Sequence, residues 1–244
     1  MREAGSSERS ARLPHASLEP LLALLQLADG LFPAGGFAHS LGLETYVQEG
    51  MVRDATGLAA FLEAQLEGSA GPTDAVAVAC AARFASTGDL DAWLDLDARL
   101  DAMRWVPEFR AASVQMGRQT LRTVAAAGGG SAVATWAAAV ADGRTPGHHA
   151  AVFGLVLGSQ GVDSEAAAAA YLHTAAVLIV NAALRLLPLG QAEGQRLLVG
   201  ARLRIARLAA RAGAAQVDDL WSFAPGVEIA GLRHADLESR LFRS

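Results

Sequence analysis

The sequence predicts an all-α protein, a single-domain bundle of about ten helices with short connections. Three observations carry the prediction. Of the 244 residues, 52% are hydrophobic but only 6% aromatic. A core of that composition is packed by Leu, Ala and Val, which suits closely approaching helices better than a sheet rich in β-branched and aromatic side chains. Apolar residues recur at helical spacing, and no stretch alternates in the manner of a half-buried strand. Finally, no linker is long enough to force a domain boundary, and the chain is long enough to bury one substantial core.

In chain order, residues 18–28 hold Leu21, Leu22, Leu24, Leu25 and Leu27, predicting a short helix buried over much of its surface. Pro33 and the glycines between 30 and 36 interrupt it before a second helix over 37–48. Asp54 is placed to cap a helix over 55–67 with the stripe Leu58, Phe61, Leu62 and Leu66, and GSAGP at 68–72 ends it. A helix follows over 73–86, then another opened by Asp89 and carrying Leu90, Trp93, Leu94, Leu96 and Leu100. Pro107 marks a joint, followed by helices over 108–127 and 131–141 separated by three glycines. Further helices are expected from His148 to Leu157, from Ser164 to the break at Pro188, and over 191–211.

Composition excludes several functions. The net charge of -5 disfavours a general nucleic-acid binder. With no lysine there is no Walker motif, and neither glycine cluster fits a dinucleotide fingerprint. Cys80 is the only cysteine, so an internal disulfide is impossible; it lies in an apolar helix pattern, and a cytoplasmic location fits. Residues 1–17 carry charge, Ser and Gly without an apolar run, and read as a flexible tail and not a secretion signal. The stretch 166–184 is nearly free of charge and long enough to span a membrane, but its alanines, His173 and Asn181 predict a buried central helix instead.

No constellation positions an acid against a base. Asp95, Asp97 and Asp101 read as the solvated face of an amphipathic helix. The histidines at 15, 39, 148, 149, 173 and 234 would be the donors of a direct metal carrier, yet they form no His-rich tract. His234 and Glu238 are four apart and able to share a helical face. Arg204, Arg207 and Arg211 make a basic stripe opposite Leu197, Ala201, Ile205 and Leu208, either an anchor for an acidic partner or a solubilising face. Residues 233–244 mix dense charge with Leu237, Leu241 and Phe242, which need a cover: a partner, or the chain's own bundle.

These segments carry a resemblance. Residues 24–44 (LLQLADGLFPAGGFAHSLGLE) resemble the N-terminal signature of the urease accessory protein UreF family. Phe109 and Arg110 with MGR at 116–118, GHHAAVFG at 147–154, LPLGQAEGQ at 187–195 and the terminal RH and SRLFRS follow in the family's order. The resemblance spans about residues 20–244, so that 18–244 is taken as one UreF-like domain. It implies an all-helical, dimeric, non-catalytic protein that bridges the UreD (or UreH) scaffold and the UreG GTPase and acts through them on apo-urease. Nickel and GTP would be handled by that complex, with no cofactor bound stably by this chain; some accounts give the family a passage for nickel. Arg233, His234, Glu238, Arg240, Leu241, Phe242 and Arg243 resemble the part that contacts the scaffold and supports GTPase docking. His39 and Glu44 are candidates for partner contact, while Pro33, Gly35 and Gly42 shape a helix joint with Phe37 packed beneath it. Pro188, Gly190, Gln191 and Gly194 form a second joint, with amides satisfying backbone groups. Arg118 is either supplied to the GTPase in trans, activating it, or held in a salt bridge inside the bundle.

Overall fold

A computed structural model describes residues 18–244. The tail expected at 1–17, with His15, lies outside the described residues. Eleven α-helical segments follow one another: α1 (Glu19–Ala28), α2 (Leu43–Gln48), α3 (Ala55–Gln65), α4 (Val76–Thr87), α5 (Leu90–Met103), α6 (Pro107–Val124), α7 (Gly130–Ala141), α8 (His149–Ser159), α9 (Ser164–Leu186), α10 (Gln191–Ala214) and α11 (Pro225–His234). Among the described residues there is no strand. A π-helical stretch, Leu66–Ala75, fuses α3 to α4, and a second, Ala125–Gly129, fuses α6 to α7. The all-α, single-domain expectation therefore holds.

The centre is α8, buried at every position from His149 to Gly158. A helix apolar all round has no solvent face to offer and belongs inside. It meets α4, whose residues Val76 to Ala82 are also buried, through glycines. A Cβ on Gly154 would lie 2.2 Å from the Val78 carbonyl oxygen, and one on Gly158 2.3 Å from that of Ala82. The two backbones approach as closely as they do because nothing but hydrogen projects there. α9 and α10 pack alongside, and Gly194 again permits the approach, its missing Cβ lying 2.9 Å from Val180. Asp54, Asp89 and Asp163 cap α3, α5 and α9 by accepting the backbone N–H groups of Gly57, Ala92 and Ala166. By length and composition Pro107–Ala141 and Ser164–Leu186 suffice to cross a membrane. Ser164–Leu186 is instead the core helix expected, with Ala167, Leu172, Ala176, Ile179 and Ala183 buried in the bundle, and the left-handed Gly128 (φ 91°) breaks the other run.

Four local expectations are corrected. Residues 68–72 do not end a helix. The chain continues through Pro72 because the wider π-helical register tolerates a missing N–H, and two carbonyls of the stretch find donors outside it. Gly68 O accepts Phe223 N–H at 2.7 Å and Pro72 O accepts Trp221 N–H at 3.4 Å. The helix expected over 37–48 is broken, since Leu41 (φ 54°) and Gly42 (φ 88°) are left-handed. Only a 3₁₀ turn, Gly36–Ala38, and the short α2 form. Helix α1 buries Leu27 alone; Leu21, Leu22 and Leu25 are exposed. Last, Asp97 is fully buried and not on a solvated face. Its carboxylate accepts the Thr145 hydroxyl and the backbone N–H groups of Gly147 and His148, holding the α7–α8 loop from within.

Candidate functional site

The segment after α11 folds back on the chain and is clasped there. His234, wholly buried, ends α11, so Glu238 lies beyond the helix and does not share its face. The carboxylates that meet His234 come from elsewhere: Glu108 at the start of α6, 2.6 Å from Nδ1, and Glu44 in α2, 3.0 Å from Nε2. Each ring nitrogen thus faces a carboxylate oxygen, and the two contacts fix the orientation of the ring. Glu44 also accepts the backbone N–H of Leu241 at 2.7 Å and of Phe242 at 3.1 Å. Glu108 also pairs with Arg240 at 3.1 Å.

The last residues close the clasp. Ser244 O accepts the N–H groups of Ser40 and Leu41 and the Ser40 hydroxyl, at 2.6, 3.1 and 2.8 Å. His39 Nδ1 is 2.8 Å from the Ser244 hydroxyl. These bonds hold the left-handed Leu41, a conformation that costs a non-glycine residue roughly 1–2 kcal/mol. Phe242 is buried against the Arg185 guanidinium, 4.3 Å from its ring. The other face of Arg185 lies 4.3 Å from Phe37. Phe37 is thus outside the joint and 67% exposed, not beneath it as expected.

The candidate residues therefore sort by depth. His39, Glu44, His234 and Phe242 are buried and form the clasp. Glu238, Arg240, Leu241 and Arg243 are exposed on the strap that it holds, and Arg233 is exposed on the last turn of α11, 3.3 Å from Glu49. Arg204 and Arg207 lie on α10 and tie it to α3 and the π-helical stretch: Arg204 meets Glu63 at 2.7 Å and Glu67 at 3.1 Å, and Arg207 pairs with Glu67. Arg211 is exposed at the end of the same row. At the first joint Gly35 (φ 88°) and Gly42 (φ 88°) turn the chain, with Pro33 exposed beside them. At the second, α9 stops before the exposed Pro188, and Gly190 O accepts the N–H groups of Glu193 and Gly194, with Gln191 as the first residue of α10.

Behind the clasp lies a cavity of about 120 Å³ whose lining includes His39, Gln65, Asp74, Arg104, His149 and Tyr171. Sequence reading missed it, because its walls come from six separate segments and the ion pair of Asp74 with Arg104 joins the π-helical stretch to the end of α5. His39 Nε2 and Arg104 Nε are buried with no hydrogen-bond partner among the described residues. Burial, and next the Arg243 charge, lowers the His39 pKa. Burial, and next Arg104, pushes His149 down to about 4. Burial, then Asp74, raises the Tyr171 phenol well above its ordinary value. At neutral pH the lining of neutral rings around one ion pair is suited to hydrogen-bonding small polar guests. Among the described residues no three His, Cys, Asp or Glu side chains are grouped to hold a metal ion. Cys80 is buried, and Arg83 donates to its Sγ at 3.2 Å.

The chain is similar to known proteins over most of its length. The UreF family model matches residues 52–202, which run from the approach to α3 well into α10. The urease accessory protein UreF of Arthrobacter sp. (strain FB24) is 36% identical over 223 residues, covering 91% of this chain and 96% of that protein. The urease accessory protein UreF of Kocuria rhizophila is 33% identical, covering 93% and 98%. That of Bacillus sp. (strain TB-90) is 31% identical, covering 92% and 99%. The helical bundle, the ordered sequence blocks and these full-length matches together place the chain in the UreF family of urease accessory proteins.

Proposed function

We propose that this protein is the bridging subunit of a cytoplasmic urease-maturation complex. It joins the UreD (or UreH) scaffold to the UreG GTPase and acts through them on apo-urease, while nickel and GTP are bound by the partners. Family membership supports the maturation role. The clasp supports the bridging role. A strap bearing Glu238, Arg240, Leu241 and Arg243, leading on from Arg233 at the end of α11, is held over a buried anchor, so a partner meets a surface whose ordering cost is already met within the fold. An exposed leucine between arginines, followed by Phe242 on the Arg185 that also meets exposed Phe37, offers the apolar centre and charged rim of a protein interface.

A homodimer is part of the same reading. Leu18, Leu21, Leu22 and Leu25 on and before α1, with Leu31 just after it, expose an apolar row that a second copy would cover.

The test alters the exposed strap and leaves its anchor intact. Leu241→Ala with Arg243→Glu is expected to weaken binding to the cognate scaffold by at least about tenfold in surface plasmon resonance, with an unchanged far-ultraviolet circular dichroism spectrum. Undiminished affinity would sink the assignment of the strap as the scaffold contact.

A further inference from the structure

A second surface lies on the outer side of α6, away from the clasp. Arg110, Val114, Arg118 and Arg122 follow one another at four-residue spacing, and the inner face of the same helix, including Ala112, Met116, Gly117 and Leu121, is buried. The exposed row forms one wall of an open groove of about 720 Å³; the opposite wall is the α7–α8 loop, with Arg144 and Pro146. Successive residues of such a row rise by about 6 Å, so the arginines are strung over about 18 Å.

The groove is built and not merely crowded. Gly117 lets the loop press on α6, since a Cβ there would lie 2.1 Å from the Gly147 carbonyl oxygen. Buried Asp97 grips the loop from the other side through Gly147 N–H at 2.7 Å and His148 N–H at 2.8 Å. Each arginine of the row is held by one edge. Arg118 Nε donates to Pro146 O at 2.9 Å, Arg122 donates twice to Gln119 Oε1, and Arg110 forms a two-pronged pair with Asp101 at 2.6 and 2.7 Å. No carboxylate of the described residues pairs with Arg118, Arg122 or Arg144, and their outer N–H groups stay free. In a chain of net charge -5 this is a local excess of positive charge.

We propose that this groove is a docking site for an acidic helical segment of a partner protein. A helix with Glu or Asp at every fourth position repeats at the spacing of this row, and its carboxylates meet the outer N–H groups that Arg118 and Arg122 keep clear of their contacts with Pro146 and Gln119. The arginines are strung out and do not converge, so a single phosphate would engage one of them at a time. The floor of Pro107, Ala111, Val114 and Pro146 suits aliphatic side chains, and the groove has no aromatic ring on which a base would stack. The inference stands apart from the bridging role, because it uses a different face.

The experiment is fluorescence anisotropy on the whole chain with a labelled alanine-based helical peptide carrying glutamate at every fourth position. Comparison peptides carry glutamine instead, or the same glutamates clustered at one end. Binding is expected only with the spaced glutamates, weakening as salt rises, and falling about tenfold in Arg122→Glu with Arg144→Glu. Neither side chain is part of the loop's anchorage, and the thermal midpoint of the variant is expected to match the parent's. Equal binding of the clustered or glutamine peptide would overturn the proposal. So would an undiminished affinity in the variant, or tighter binding of a single-stranded RNA oligonucleotide or inorganic triphosphate than of the spaced peptide.

Discussion

His149 packs with Phe153 and Tyr171 in a triangle of rings, 5.7 and 5.5 Å from their centroids, at the edge of the cavity. Burial and Arg104 keep it neutral until about pH 4, whereas the unfolded chain protonates it near 6.5. Between those values the unfolded state binds the extra proton, so the contribution of His149 is complete above pH 6.5 and is lost as pH falls toward 4. At pH 5 the loss amounts to roughly 2 kcal/mol. Urea midpoints at pH 7 and pH 5 are expected to differ by less in His149→Gln than in the parent, whatever the variant's absolute stability. An unchanged difference would show that His149 is not protonated preferentially in the unfolded chain. Single residues such as this were the least legible part of the sequence. The signature block pointed to His39 and Glu44, and the terminal block to His234, but nothing local showed that they meet. Glu44 and Glu108 lie 190 and 126 residues from His234 in the chain. Asp97 looked like its neighbours Asp95 and Asp101 for the same reason: its partners are about fifty residues away in a loop.

Elements were read better than residues, because helical period and capping are local. The caps at Asp54 and Asp89 and the joint at Pro107 are where they were expected. The failures share a cause. Gly and Pro at 68–72 break an ordinary α-helix, but residues 221–223 supply the hydrogen bonds that let a π-helical stretch carry the chain through. At 37–48 the reverse holds, since the docked strap stabilises a left-handed turn in a stretch with helical composition. Glycine at a helix contact belongs to this scale as well. Gly154→Ala puts a methyl into the α4 backbone and is expected to cost about 1–3 kcal/mol. Gly200→Ala, on the open face of α10 with nothing within 4 Å, should gain about 0.5–1 kcal/mol from helix propensity. Thermal midpoints moving in opposite directions would bear out the glycine contact between α4 and α8. A neutral Gly154→Ala would contradict it.

At the scale of the molecule, three exposed surfaces surround one small-residue core. The strap with its clasp, the leucine row of α1 and the arginine groove of α6 face outward, while α8 and α9 fill the interior. The fold class was legible because it depends on composition and period alone. Which surfaces the fold would leave open was not, since α1 reads as a buried helix until its leucines are found in solvent. The proposed role makes the leucine row a contact with a second copy and the strap a contact with the scaffold, while the groove inferred above is a separate contact with an acidic helix. Size-exclusion chromatography with light scattering, on this protein mixed with its cognate scaffold and UreG, tests that role most directly. A single species whose mass contains two copies of this chain is the result the bridging account predicts. Separate elution of the three proteins in gentle salt would contradict it.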